Sequence, residues 1–243
     1  MHAALTEEQR LIGDMARKFA IAELEPIAAQ LDRNEDSAKN RQLFLANLQK
    51  LAELGFMGLN VNAYYGGTDA GVVSFSLAVT EIARACASTA VTMSVTNMVG
   101  EVIQSVANEE QKQQYLPKLL SGDYAAGSFC LSEQGAGSDP AAMKTKAVKE
   151  GDSWVVSGTK AWITSAEYAG IFVVWAVTDS DAASGKGISC FLVEADTPGI
   201  TVGKAEQKMG QHASSTNMVS FDNCRIPSSA LMGELNDGFR IAV

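Results

Sequence analysis

Histidine is nearly missing from this chain: its 243 residues include two, His2 and His212. Metal catalysis needs clustered ligands, so no metal site is expected. A Ser-His-acid triad would depend on His212 and finds no G-x-S-x-G nucleophile turn beside it. Hydrolase chemistry is set aside on that ground. Cysteine is scarce as well. Cys86, Cys130, Cys190 and Cys224 stand far apart, mostly within apolar runs. That is the pattern of small buried hydrophobes rather than of a disulfide framework. Basic residues are outnumbered, 19 Lys and Arg against 28 Asp and Glu, which leaves a formal charge of −9. Such a surface is unsuited to nucleic acid or to anionic lipid. No run approaches the roughly 20 consecutive apolar residues of a membrane span. The opening MHAALTEEQR lacks both the order of a signal peptide and the Arg-rich character of a transit peptide. A soluble, intracellular, cytoplasmic protein is expected, or one of the mitochondrial matrix if the chain is a processed eukaryotic one.

Apolar residues, in contrast, make up 47% of the chain, enough for one large core or two modest ones. The first half reads as helices. Thr6 and Gln9 have capping-box spacing, and Leu11, Ile12, Met15 and Phe19 recur at helical intervals behind them. Pro26 should kink or restart this helix. A second helix carries Phe44, Leu48, Leu51 and Leu54 and stops at Gly55. NAYYGGTDAG must be a loop. Further helical segments run from about Val72 to Cys86, from Thr89 to Ala107, and from the Asn108/Gln111 capping pair onward. After Ser121-Gly122-Asp123 the pattern becomes β-rich: AAGSFCL, TKAVKE, WVVSG, AWIT, IFVVWAV, ISCFLVEA, ITVG and NMVSFDN, punctuated by turns such as KEGDS. The fold class is α+β: a helical domain over residues 1–121, then an antiparallel, barrel-like β-domain over 122–227. A new helix starts near Asp237 within 228–243. No internal repeat is evident.

One stretch stands apart, CLSEQGAGSDPAA from Cys130 to Ala142. It contains G-x-G but no third glycine at dinucleotide-binding spacing, Pro140 standing there instead, and strands and helices do not alternate around it. By composition it reads as a glycine-rich turn. Its possible partner is GTKAWITSA, Gly158 to Ala166. Trp162, the hydroxyl of Thr164 and glycine-freed amides would make a cradle for a flat heteroaromatic cofactor. Taken singly, Trp162 reads equally well as a core tryptophan and Thr164 as a turn hydroxyl.

Taken together, these motifs resemble the acyl-CoA dehydrogenases. Leu131, Ser132, Glu133, Ala136, Gly137, Ser138, Asp139 and Ala142 match that family's first flavin pattern. Gly158, Lys160, Trp162, Ile163 and Thr164 match its second. YYGG at Tyr64–Gly67, EEQKQQYLP at Glu109–Pro117 and FDNCRIP at Phe221–Pro227 resemble further family segments in their usual order. The resemblance implies a helical and a middle β-domain followed in the family by a C-terminal four-helix domain, of which this sequence matches only the opening turn. A truncated form of a longer enzyme is therefore the expectation. It implies FAD as cofactor and α,β-dehydrogenation of an acyl-CoA thioester, with electrons passed to electron-transferring flavoprotein. It further implies that Ser132 supplies a hydroxyl and an amide to the flavin, with backbone contacts from Phe129 and Leu131. Thr164 would lie near flavin N5, Trp162 and Ile163 beside the ring, and Gly137 and Ser138 toward the pyrophosphate and the CoA chain. Val95, Met98 and Val99 are the candidates for the acyl wall, with helical core as their ordinary reading. No catalytic residue is assigned: the family's glutamate base would lie past Val243, and Glu81, Glu101, Glu167 and Glu194 read as surface charges. His212 reads as a plain surface residue. The family habit of a homotetramer is carried over as an expectation for the full-length form. An acyl-CoA oxidase or flavin monooxygenase of the same fold, or a non-catalytic acyl-CoA- or protein-binding module, are the alternatives.

Overall fold

The computed structural model describes residues 4–33 and 37–242; His2 and Val243 lie outside the described residues. Helix α1 (Glu7–Phe19) opens on a complete capping box, Thr6 and Gln9 exchanging side chain and backbone bonds of 3.0 and 3.2 Å. Ile12 and Phe19 turn into the core, while Leu11 and Met15 stay exposed. A π-helical turn, Ala20–Leu24, joins α1 to α2 (Glu25–Arg33). Pro26 falls in the first turn of α2, where its missing N–H is tolerated, and the helix restarts there as the sequence suggests. Helix α3 (Ser37–Glu53) ends at Gly55, whose φ of 77° only glycine adopts without strain. The following loop is bound by Asn97 of α5 (Ala87–Val106), a buried amide that accepts from Leu59 N–H at 2.8 Å and donates to the Phe56 and Met93 carbonyls. Helices α4 (Gly71–Ala85), α5 (Ala87–Val106) and α6 (Glu109–Ser121) complete the helical region, α6 with its own capping box at Asn108 and Gln111.

Among the described residues eight strands follow: β1 (Ala126–Cys130), β2 (Lys146–Glu150), β3 (Ser153–Thr164), β4 (Ala169–Val177), β5 (Ile188–Glu194), β6 (Ile200–Ala205), β7 (Thr216–Pro227) and β8 (Leu231–Met232). They form one sheet in the order β6-β7-β3-β2-β4-β5-β8, with β1 on β4. The sheet is mixed rather than purely antiparallel. β1 runs parallel to β4, and β2 meets β4 parallel at Lys146 and Val177. Hairpins such as β2–β3 announce themselves by their turns. A parallel pair joins strands distant in the chain and leaves no local signature. WVVSG and AWIT are one strand, β3, interrupted by irregularities between Val156 and Gly158 and between Lys160 and Ile163.

Helix and sheet meet where α5 crosses β1. Gly127 permits this approach, because a Cβ there would stand 2.8 Å from Val99 Cγ1. A second tie is His212. It is half-buried, and Asp32 at the end of α2 accepts its backbone N–H at 3.2 Å and faces its ring Nδ1 at 3.1 Å. That N–H, above all, holds the Asp32 carboxyl below its ordinary range. His212 stays partly exposed in the loop before β7, as expected, and in addition clips that loop to α2, a contact across 180 residues that has no sequence signal. A short helix, α7 (Gly238–Ala242), closes the described chain. Its Gly238 carbonyl accepts Trp175 Nε1–H at 2.8 Å.

Candidate functional site

The Cys130–Ala142 stretch begins where β1 ends and is bound along one side to β3. Lys160 Nζ donates to the Leu131 carbonyl at 3.1 Å, and Ala161 N–H donates to the Ser132 carbonyl at 2.9 Å. Trp162 is therefore the chain neighbour of a residue bonded to the loop, and the two motifs form one seam. Glu133 folds back: its N–H and carbonyl pair with Ala136, and its carboxylate accepts the N–H groups of Lys144 and Thr145 at 2.7 and 3.0 Å. The same carboxylate receives Lys160 Nζ at 2.9 Å, the lysine side chain being completely buried.

Burial pushes the Glu133 carboxyl up, but bonding from Thr145, the Lys160 ammonium and the Lys144 amide outweigh it and hold it below the ordinary range. Burial pulls Lys160 down, against the pull of Glu133. A carboxyl depressed in the fold lends stability at neutral pH that is lost as pH falls toward its folded value. Lys160 stays charged throughout that window and adds no acid limb. Urea midpoints should therefore decline from about pH 4.5 downward. Glu133→Gln should flatten that decline; an equally steep acid limb in the variant would assign it to other carboxylates.

Phe129 is half-buried and stacks on Trp175, ring centroids 5.2 Å apart. Ser132 is half-buried, and among the described residues neither its N–H nor its Oγ meets a partner. Thr164 offers a free hydroxyl likewise, while its carbonyl accepts Ser128 Oγ at 2.7 Å. Ile163 is core. Trp162 is 64% exposed, not a core tryptophan, and its backbone holds a φ of 62°. For a bulky residue that is strained, on the order of 1–3 kcal/mol. Gly135 and Gly137 are informative by contrast with Gly127. Neither has positive φ, and a Cβ at either would meet nothing within 4 Å, so nothing among the described residues requires glycine there. Gly137 and Ser138 are exposed at the turn, and a cleft of about 460 Å³ runs beside it, lined by Glu133, Gln134, Gly135, Ala142, Lys144, Thr159 and Met218.

On α5 the structure divides the three acyl-wall candidates. Val99 is buried against Gly127, Val95 is half-buried and Met98 is 42% exposed. The four cysteines are all buried and free. Among the described residues no group of three or more His, Cys, Asp or Glu could hold a metal ion, and no helix is long and apolar enough to cross a membrane. Lys160 and Glu133 have no assigned role in the sequence reading. The available signal was a pair of opposite charges, one in each motif, of which the lysine falls within a strand, where a buried charge needs a partner.

These residues fit a flavin: unpaired donors at Ser132, an indole held outward beside them, and glycines with no internal need for the missing Cβ. The sequence profile of the acyl-CoA dehydrogenase N-terminal domain matches residues 6–123, and that of the middle domain matches 128–224. Among similar proteins, the mouse (Mus musculus) mitochondrial short-chain specific acyl-CoA dehydrogenase is 45% identical, over 98% of this chain and 56% of its own. Butyryl-CoA dehydrogenase from Megasphaera elsdenii superposes with a TM-score of 0.91 at 33% identity, over 100% of this chain and 62% of that one. Acyl-CoA dehydrogenase complexed with FAD from Bacillus anthracis gives 0.87 at 31%, over 98% and 39%. The chain spans about half the length of the curated relatives it matches. With both family domains matched in order across the helical region and the sheet, the chain belongs to the acyl-CoA dehydrogenase family.

Proposed function

We propose that this chain carries the flavin-holding part of an acyl-CoA dehydrogenase site, with FAD against Phe129, Leu131, Ser132, Trp162, Ile163 and Thr164. The observation that carries the reading is the set of free donors on one seam: Ser132 N–H, Ser132 Oγ and Thr164 Oγ1, none with a partner among the described residues. These donors are half-buried and have no protein partner among the described residues, which leaves them available to a ligand's acceptors. Phe129, Leu131, Ser132, Trp162, Ile163 and Thr164 would hold FAD there, and the group would supply the acceptor for the β-hydride of an acyl-CoA thioester whose α-proton passes to a base, the product being a trans-2-enoyl-CoA.

The chain's own residues would hold and shield. The Ser132 N–H and hydroxyl would stabilise negative charge on the ring's acceptor edge by the logic of an oxyanion hole. Ile163, buried, contributes through its main chain, and Trp162 keeps water from the ring. Gly137 and Ser138 let the pyrophosphate and the CoA chain approach the backbone. Val95 and Met98 face the acyl tail, with Val99 supporting them from the core.

Proton abstraction is not assigned to this chain. Glu133 is committed to Lys160 and two amides; Glu81 pairs with Arg17, Glu167 with Arg41, and Glu194 with Lys118 and Tyr124. Glu101 is exposed on α5. The electron acceptor is electron-transferring flavoprotein, and the working form is a homo-oligomer, a tetramer by the family resemblance. The place of work is the cytoplasm, or the mitochondrial matrix for a processed eukaryotic chain. Short or branched acyl groups are the substrate class, supported by the names of the relatives.

The test is an anaerobic visible spectrum of the 243-residue chain with FAD, before and after a panel of short acyl-CoA thioesters. Weakly held flavin that stays oxidised is expected. A bleached flavin band would place a working base within the chain, and an absence of any flavin binding would overturn the reading.

A further inference from the structure

The buried pair Lys160 and Glu133 touches the candidate site from behind, and the proposed function gives it no task. A core ion pair is an expensive way to fill space, since two charges leave water together. The geometry around it is specific. In a trans peptide the carbonyl and the following N–H point in opposite directions. The Leu131 carbonyl is drawn toward β3 by Lys160 Nζ at 3.1 Å, so the Ser132 N–H, on the same peptide plane, is turned away from β3. In the next plane the Ser132 carbonyl accepts Ala161 N–H at 2.9 Å, and the Glu133 N–H is turned outward in its turn, where Ala136 takes it at 3.2 Å. Of these two outward N–H groups only that of Ser132 is left open. The ammonium itself cannot wander: Glu133 Oε1 at 2.9 Å and Met143 Sδ at 3.7 Å hold it from its other sides.

We infer that Lys160 is a positioning residue for the flavin: from behind the Leu131 carbonyl it aims the Ser132 N–H outward and strengthens it as a donor. A positive charge bonded to a carbonyl oxygen polarises the whole peptide group, so its N–H becomes a better donor to an acceptor in front. Glu133 keeps that ammonium charged and, through the amides of Lys144 and Thr145, ties both ends of the loop to it. The inference rests on the flavin reading above.

The experiment uses the 15N-labelled 243-residue chain as wild type, as Lys160→Met, and as Lys160→Met with Glu133→Gln. The double variant leaves no unpaired buried charge and guards against a fold lost for that reason alone. Circular dichroism checks the fold, and the readouts are the Ser132 amide proton shift without ligand and the affinity for added FAD. Loss of the ammonium should move the Ser132 amide upfield in each folded variant. It should also weaken FAD by about tenfold or more, the loss of one charge-assisted bond. A folded double variant with the wild-type Ser132 shift and FAD affinity would reduce Lys160 to a core ion pair and overturn the inference. If the wild type itself takes no FAD, the flavin reading fails separately, and the Ser132 shift still decides what Lys160 does.

Discussion

Trp175→Ala should destabilise the chain by about 3–5 kcal/mol, the range for a large aromatic removed from a packed core. Trp175 is fully buried on β4 among Val99, Leu116, Ile171 and Leu192. Two further contacts make it more than filler. Its Nε1–H is bonded to the Gly238 carbonyl at 2.8 Å, and its ring supports Phe129, stacked at 23° between planes. Truncation would leave that carbonyl without its donor and Phe129 without its platform. Because Phe129 stands two residues before Leu131, the loop after β1 should loosen with it. Trp175→Phe keeps an aromatic under Phe129 but drops the bond to Gly238, and about 1–2 kcal/mol is expected. Urea unfolding of the three proteins measures both values. An alanine variant within about 1 kcal/mol of wild type would show that the helix–sheet core does not depend on this residue.

Trp162→Gly should separate stability from ligand binding. The wild-type backbone holds a bulky residue at φ 62°, and the indole is mostly in solvent, so the fold gains little from it. Glycine occupies that backbone region freely, and relief of strain is expected to leave the variant as stable as wild type or about 1 kcal/mol more so. Flavin binding should move the other way. Losing an aromatic face beside a heteroaromatic ring costs about 1–1.5 kcal/mol, roughly tenfold in affinity. Thermal unfolding and FAD titration of the same two samples provide the comparison. A variant that is less stable and binds FAD unchanged would return Trp162 to an ordinary packing role. Strain kept at a site and released with loss of ligand is the mark of a residue placed for function.

How much of this was legible in the sequence follows from the range of the interactions. Helix starts were readable because capping is local: Thr6 with Gln9 and Asn108 with Gln111 lie three residues apart and form the expected reciprocal bonds. The stop at Gly55 was readable for the same reason, as was the β2–β3 hairpin with its Gly151 turn. The parallel partnership of β1 and β4 was not, because the strands are brought together by everything folded between them. Lys160 lies in the same two-residue alternation as the buried Trp154 and Val156, so its inward face was readable; its partner Glu133, 27 residues away in another motif, was not. The exposure of Trp162 does depend on an irregularity, the register shift between Lys160 and Ile163 that breaks the alternation of β3. The motif residues of the two stretches were visible one by one; that Ala161 bonds Ser132, and so joins them into one seam, belongs to tertiary structure.

The most direct test of the central claim, that this seam holds a flavin, is a 1H–15N spectrum of the chain titrated with FAD. The three tryptophans supply three indole N–H signals, from Trp154, Trp162 and Trp175, of which the outer two in sequence are buried. Trp162 and the Ser132 amide should shift together, saturably and with one FAD per chain, while Trp154 and Trp175 barely move. Saturable FAD binding that leaves Trp162 and Ser132 in place would contradict the claim.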